Sequence, residues 1–326
     1  VFAFRVLRLT GLKNEPKPEL IIGTTPSPFS AIAAYKIARK YKIPFILEVV
    51  DIWPDTLMQV GNISKWHPFV MLLATIERKL YREADAIYTH LENAKDHFIQ
   101  KGASKHKIFF IPSAIPFDPI PELKPLPENK VFTIIYVGAH GDVNDLGTLL
   151  EAARILKDRG MEQKIKFRLI GSGTQKPYLQ KRSEELGITN IEFQDPVPKN
   201  EIYNKIWEAD AAIVLFKDIP LYETGASPNK VFDYLVCGRP QIFAGNVKDN
   251  PVEKSGAGIM VNPENPKAIA DATIQLSNWT LKKREEMSQA GYYYVLEKHT
   301  LDKWVQKFFS MLKHKNIAFS EKIKPL

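Results

Sequence analysis

Short apolar runs alternate along this chain with segments whose apolar residues recur every three or four positions, which predicts strands followed by helices. Glu19–Thr25 (E-L-I-I-G-T-T) reads as a buried strand entering Pro26 and Pro28, Ser30 as the cap of a helix over Ala31–Tyr41, and Pro44–Val50 (P-F-I-L-E-V-V) as the next strand. Further on, Asp85–Thr89 predicts a strand, Leu91–Lys101 a helix and Lys107–Pro112 a strand, while Val1–Thr10 reads as the tail of a helix ended by Gly11. The pattern restarts with a strand at Val131–Val137, a helix at Leu146–Asp158, strands at Lys166–Ile170 and Asn190–Phe193, a helix at Glu201–Glu208 and a strand at Asp210–Phe216. Tyr222–Gly245 then packs a loop, a helix and a buried strand into one stretch. After it come a short helix at Pro251–Gly256, a strand at Gly258–Val261, and helices at Pro266–Leu276 and Leu301–Lys313. Such strand–turn–helix repeats build parallel sheets with helices on their faces, and these sheets bind ligands beyond the C-terminal ends of their strands.

The clearest break in composition is a run of six prolines from Pro112 to Pro127, read as an interdomain linker. The expected organisation is a first α/β domain over 1–115, a linker over 116–130, a second α/β domain over 131–298, and a terminal helix and tail over 299–326. Trp304, Val305, Phe308, Phe309 and Leu312 give that last helix an apolar face, expected to pack across the domain junction, with the chain fraying from Lys315. At 326 residues, two cores fit the length. The single cysteine, Cys237, rules out an internal disulfide and makes a reducing, cytoplasmic setting the default. No apolar run approaches the ~20 residues of a membrane span. The net charge is +8, and residues 1–130 hold 18 Lys and Arg against 13 Asp and Glu. This skew suits an anionic membrane surface or a phosphorylated ligand as well as an ordinary solvated surface. The basic residues are dispersed without an aromatic-basic module, which argues against nucleic acid.

Several loops offer candidate chemistry. In Tyr222–Gly245, Gly225 and Pro228 break regular structure, Ser227 or Asn229 can cap the following helix, and Lys230 lies in its first turn. A helix N-terminus beside a lysine offers N–H groups and charge to a phosphate, and Asp233, one turn on, can accept from ribose hydroxyls. An ordinary connection, with Lys230 solvated and Asp233 a surface acid, fits the same residues. After the strand at 131–137, Gly138 and Gly141 flank His140. After Ile170, Gly171 and Gly173 form a tight turn leading to Lys176. Strand, glycine loop and basic residue suggest phosphate contact, although neither fragment specifies a dinucleotide site. The backbone around Val197 in D-P-V-P-K can hold the edge of a base. In the first domain Asp51 follows a strand and Trp53–Pro54 makes a bulky loop fit to line a sugar-sized cleft, or serves as packing and a turn. The segment from Trp66 to Arg82 reads as a helix from Pro68, with Phe69, Leu72, Leu73, Ile76 and Leu80 on one side and Arg78, Lys79 and Arg82 elsewhere. Core packing with a basic solvent face accounts for it, and an interfacial membrane helix is the alternative.

Taken together, the segments E-V-V-D-I-W-P-D, V-G-A-H-G-D, L-I-G-S-G-T-Q-K-P-Y-L and S-P-N-K-V-F-D-Y-L-V-C-G-R-P resemble, in order, the loops of the retaining glycosyltransferases of family 4. The resemblance covers nearly the whole chain and is nearest to the bacterial capsule and O-antigen sugar transferases. It implies a GT-B fold of two Rossmann-like, doubly wound domains with a cleft between them. The second domain would hold a nucleoside diphosphate sugar, UDP-linked. Gly138, His140 and Gly141 would sit against diphosphate and sugar, Lys176 would neutralise phosphate, and Asp233 would take the ribose as the second acid of an E-x7-E motif. Lys176 and Lys230 would stabilise the leaving group in place of a metal, and no D-x-D occurs in the sequence. Asp51 and Trp53 would face the acceptor, a lipid-linked or polysaccharide glycan at the cytoplasmic face of the inner membrane. With His140 and Lys176, Asp51 completes the expected catalytic set. Three positions depart from the family: Gly225 stands where the first acid of the motif should fall, Val50 replaces an arginine, and Ser113 replaces a common asparagine. Family layout also implies that the first domain is incomplete, lacking about 50 to 80 residues at its start. A nucleotide-sugar-binding subunit without activity and a UDP-sugar epimerase of the same fold are the alternatives.

Overall fold

A computed structural model of the chain describes residues 17–115 and 120–317. The helix expected over Val1–Thr10, two of the linker prolines and the last residues of the tail lie outside these. The chain divides into two units, one holding residues up to Ala114, Glu223–Ala226 and residues from Leu301 on, the other Ile115–Tyr222 and Ser227–Thr300.

In the first unit, strands β1 (Ile21–Thr24), β2 (Phe45–Val49), β3 (Ala86–Thr89) and β4 (Ile108–Phe110) pair in that order, all parallel. Helices α1 (Pro28–Tyr41), α2 (Asp55–Gln59), α3 (Pro68–Glu83) and α4 (Lys95–Gln100) make the crossovers. Helix α1 starts earlier than expected because Ser27, not Ser30, is its cap: the Ser27 hydroxyl oxygen accepts from the Ser30 N–H, and Pro28 takes a first-turn place that needs no donor. Helix α3 turns Val70, Leu73, Leu80 and Tyr81 inward but leaves Phe69 and Leu72 exposed, against the expected apolar face. The last helix, α12 (Leu301–His314), belongs to this unit. It lays Phe308, Met311 and Leu312 on Ile46, Ala86, Tyr88 and Ile111, with Trp304 stacked on Phe308 at 5.0 Å between ring centres. Ile317 is buried in the same cluster, so order extends past Lys315, where fraying was expected.

The second unit carries six parallel strands, β5 (Phe132–Val137), β6 (Ile165–Ile170), β7 (Ile191–Gln194), β8 (Ala211–Leu215), β9 (Gln241–Ala244) and β10 (Gly258–Val261). Their spatial order is β10-β9-β8-β5-β6-β7, with every pairing parallel. Chain order reverses between β5 and β8, which makes the C-terminal ends of those strands the topological switch point where such sheets take ligands. Strands β8 and β9 are buried end to end and β5 up to its last residue, as expected for strands covered on both faces. Helices α5 (Leu146–Asp158) and α10 (Pro266–Asn278) pack into one core cluster, while α6 (Lys176–Glu185), α7 (Lys199–Trp207), α8 (Asn229–Val236) and α9 (Pro251–Ser255) complete the crossovers. Helix α11 (Leu281–Lys298) was not expected from the pattern. It buries Met287, Ser288, Gly291 and Val295, and a side chain at Gly291 would come within 2.8 Å of Leu235 and 2.9 Å of Ala257. Small residues let its backbone approach α8 and α9 closely, so no wide apolar stripe is needed.

The buried Arg239 ties this unit to the end of the linker. Its guanidinium donates to the carbonyls of Cys237, Ala209, Lys124 and Pro125. Burial pushes it down to about 10 from its ordinary 12.5, and the carbonyl set is what keeps a charge in the core tolerable.

Candidate functional site

At the switch point two glycine turns interlock. Beyond β5, the Gly138 N–H donates to the Ile170 carbonyl (3.0 Å) and the His140 N–H to the Ser172 carbonyl (2.8 Å), while the Gln175 N–H donates to the His140 carbonyl (3.0 Å). A side chain at Gly171 would overlap the Gly138 carbonyl, and one at Gly173 would lie 2.8 Å from the His140 nitrogen. These two glycines therefore clear space for the protein's own backbone rather than for a ligand. Gly138 has φ +149, and a side chain there would sit 3.0 Å from the Lys230 Nζ. Gly141, at φ −103, has nothing closer than Asn144 at 3.9 Å and lies on the open side.

Lys230 enters from the first turn of α8. Its Nζ donates to the Tyr136 hydroxyl and the Asn144 Oδ1, each at 2.9 Å, and lies 4.3 Å from the centre of the Tyr136 ring. Both partner residues are neutral, and no carboxylate of the described residues pairs with it. Burial drives its ammonium down to about 8 from the ordinary 10.5. The Tyr136 hydroxyl donates a hydrogen bond to the Ala139 carbonyl (2.8 Å), so its oxygen is oriented to accept from Lys230. One turn along α8, the Tyr234 hydroxyl accepts from the Val137 N–H at 2.7 Å and locks the helix onto the end of β5. Neither Ser227 nor Asn229 caps α8: Pro228 holds the cap position and no side chain bonds there. The proline leaves the first-turn N–H groups without a side-chain acceptor from its own cap.

Lys176, at the start of α6, donates to the carbonyls of Gly171 (3.0 Å) and Gln194 (2.8 Å) and to the Asp195 carboxylate (2.8 Å). It thus bridges the ends of β6 and β7, and its charge already has a partner in a carboxylate that is 95% exposed. His140 departs from its expected place against the sugar. Its ring is 0% exposed, flanked by Tyr136 and Phe193 at 5.9 and 6.2 Å, and neither ring nitrogen has a partner among the described residues. Burial, then the charges of Lys176 and Lys230, press it down to about 4. A neutral, enclosed ring thus lies between the two turns, with none of its surface exposed.

Asp233 projects from α8 toward α7, where its Oδ1 accepts from the Tyr203 hydroxyl at 2.7 Å. Burial raises its carboxyl, with the Tyr203 bond and the Lys199 charge working against that rise. Lys199 opens α7 two residues after Val197, so the half-buried Val197 and Asp233 border the same stretch. Contacts and chain continuity thus link Lys230, Gly138, Gly171, Lys176 and Gln194 along the strand ends of this unit, while Asp233 meets Tyr203 on α7. Tyr136, Asn144 and Tyr203, which hold the key side chains, were not singled out from the sequence, since no spacing motif contains them.

Asp51 belongs to the first unit. The Thr25 hydroxyl accepts from the Val50 and Asp51 N–H groups and donates to the Asp51 carbonyl (2.9 Å), which pins the loop to the end of β1 and leaves the Asp51 side chain exposed. Trp53 is half-buried. Beside them, His90 lies 3.4 Å from Glu48 and 2.7 Å from the Ile111 carbonyl. Burial raises the Glu48 carboxyl, but bonds from His90, Thr24 and Tyr88 outweigh it and hold the group below its ordinary value. Gly225 has φ +107, and a side chain there would meet the Glu92 nitrogen at 3.3 Å, so this backbone disfavours an acid at the position. Among the described residues no group of three or more His, Cys, Asp or Glu is placed to hold a metal.

Residues 131–278 match the family of glycosyl transferases group 1, and residues 1–114 match a glycosyl transferase 4-like domain. The chain belongs to the family 4 glycosyltransferases. It is 25% identical over 190 residues to WcaI of Escherichia coli (strain K12), a glycosyl transferase assigned to colanic acid biosynthesis; the match covers 54% of this chain and 46% of that protein, so it spans less than half of the relative. Among solved structures, HepE of Anabaena in complex with UDP and glucose superposes with a TM-score of 0.72 at 12% identity, covering 95% of this chain and 81% of that one. Sucrose-phosphate synthase from Thermosynechococcus elongatus gives 0.74 at 13%, covering 95% and 76%. At these identities the superpositions establish the GT-B fold of this glycosyltransferase.

Proposed function

We propose that the chain takes a UDP-linked sugar in its second unit and transfers the sugar, with retention of configuration, to a lipid-linked or polysaccharide acceptor in cell-surface glycan assembly. The observation that carries this reading is Lys230, an ammonium held at the switch point by neutral groups alone. A half-buried cation without a counter-charge is costly, and a diphosphate beside Gly138 supplies that charge. The first-turn N–H groups of α8 add donors for the same phosphate. In this assignment Asp233 accepts from the ribose, and the backbone near Val197 meets the base. Lys176 exchanges its exposed Asp195 partner for phosphate. The HepE complexes with UDP and with UDP-glucose support the choice of nucleotide.

Transfer proceeds on this reading as the bond from the anomeric carbon to the diphosphate oxygen breaks and the acceptor oxygen bonds to the same face of that carbon. The acceptor proton passes to the departing phosphate. Charge grows on the leaving diphosphate, and Lys230 and Lys176 stabilise it without a metal. Asp51 is assigned to the acceptor side, which lies at the cytoplasmic face of the inner membrane. Gly225 favours one further reading, a subunit that binds nucleotide sugar without transferring it, because the family's first acid is missing there. The chain incubated with UDP-glucose and UDP-N-acetylglucosamine separates the two. Release of UDP that depends on a glycan acceptor and yields the retained anomer supports transfer; tight binding with no UDP released under any acceptor supports the binding subunit.

A further inference from the structure

The outward side of α3 is unusual for a solvent-facing helix. Trp66 is 73% exposed, and Phe69, Met71 and Leu72 are 42%, 51% and 49% exposed. Phe29, 38% exposed on α1, stacks against Phe69 at 6.1 Å and extends the apolar ground. Scattered single apolar residues need no explanation, but a contiguous cluster around one helix start does. The charges beside it have one sign. Lys65, Arg78 and Lys79 have no carboxylate of the described residues within ion-pair distance, Lys65 lying over the Trp66 ring (5.3 Å) and Lys79 over the Tyr35 ring (5.4 Å). The acids of the helix point elsewhere: Glu77 is 5% exposed, and Glu83 is engaged by Tyr35 and Arg82.

We infer that this face docks on an anionic lipid bilayer, with Trp66, Met71 and Leu72 entering the headgroup region and Lys65, Arg78 and Lys79 meeting lipid phosphates. Charge complementarity selects this occupant. A second protein copy would bring the same cations face to face, whereas a bilayer offers negative charge and an apolar boundary together. Tryptophan suits that boundary, since its ring is amphipathic. No helix among the described residues is long and apolar enough to cross a membrane, so a docking face of this kind is how these residues would hold the chain at a surface. The inference deepens the membrane side of the proposed function by naming the surface. Vesicle binding is measured without donor sugar, so its failure leaves the nucleotide site standing, and failure of UDP to bind leaves this surface standing.

The test is flotation of the chain with vesicles of phosphatidylcholine alone and with a third of the lipid as phosphatidylglycerol, at low and high salt. The expected result is flotation with the anionic vesicles, weakened by salt. Removing Arg78 and Lys79 together should lower partitioning roughly thirtyfold, at about 1 kcal/mol per basic residue. Met71→Glu with Leu72→Glu should abolish it while leaving thermal unfolding unchanged, because both side chains are exposed. Absence of flotation on anionic vesicles, flotation undiminished in the double glutamate variant, or a solution dimer that the same variant dissociates would each overturn the inference.

Discussion

Replacing Lys230 with methionine separates what this residue costs the empty protein from what it gives the occupied one. Burial lowers the ammonium from 10.5 to about 8, a shift equivalent to roughly 3 kcal/mol of native-state destabilisation at neutral pH. Methionine keeps most of the volume and removes that cost, but it forfeits two hydrogen bonds, to Tyr136 and Asn144, of about 1 kcal/mol each. The balance favours the variant by about 1 kcal/mol, or roughly 2–4 °C in the unfolding of a unit this size. UDP at about a hundred times its dissociation constant should add about 2.7 kcal/mol to the wild type and little to the variant. Differential scanning fluorimetry with and without UDP reads both. The pH dependence gives an internal check. Between about 8 and 10.5 the unfolded wild type binds more protons at this site than the native state does, so wild-type stability rises with pH there. The methionine variant lacks that slope, and UDP bound to the wild type removes it by holding the proton. An apo variant clearly less stable than wild type, or one that UDP stabilises as strongly, would refute the assignment of Lys230 as an uncompensated charge awaiting phosphate.

Gly171→Ala should destabilise the second unit by roughly 3–5 kcal/mol in urea titration, because the new methyl overlaps the Gly138 carbonyl. Gly141→Ala should stay within about 0.5 kcal/mol, and equal effects at the two positions would contradict the interlocked turns. His140 is neutral in the core and reaches only about 4 against an ordinary 6.5. Its contribution is therefore intact above pH 6.5 and is lost as pH falls toward 4, by about 3 kcal/mol. His140→Phe should flatten that part of the stability profile, and an unchanged profile would place the ring elsewhere. Asp233→Asn can still accept from Tyr203, so it isolates the ribose role. UDP affinity should drop roughly ten- to a hundredfold while 2′,3′-dideoxy-UDP is bound as before, and calorimetry showing equal losses would remove Asp233 from the ribose.

Strand positions were legible because buried parallel strands leave continuous apolar runs. Val131–Val137 and Gly258–Val261 were placed within a residue, and helix α5 was matched at both ends. Helix α11 was hidden because it packs through Gly291 and Ser288 rather than an apolar stripe. Helix α3 misled for the opposite reason: its sequence holds more apolar residues than its inner face can bury, and periodicity does not say which side is covered. Among the candidate residues, a glycine–lysine loop after a strand marked the right region but not the division of labour within it. Gly171 and Gly173 serve backbone interlocking, His140 is enclosed between the two turns, and Lys230 is the cation left without a charge partner. Those distinctions depend on Tyr136, Asn144 and Tyr203, which approach through tertiary structure and have no fixed sequence offset from the groups they hold.

The most direct measurement is a crystal structure of the chain grown with UDP. It should place the diphosphate within hydrogen-bonding distance of the Lys230 Nζ and beside Gly138, with the ribose at Asp233. UDP bound away from the ends of β5 and β8, or a diphosphate that leaves Lys230 bonded to Tyr136 and Asn144 alone, would contradict the account.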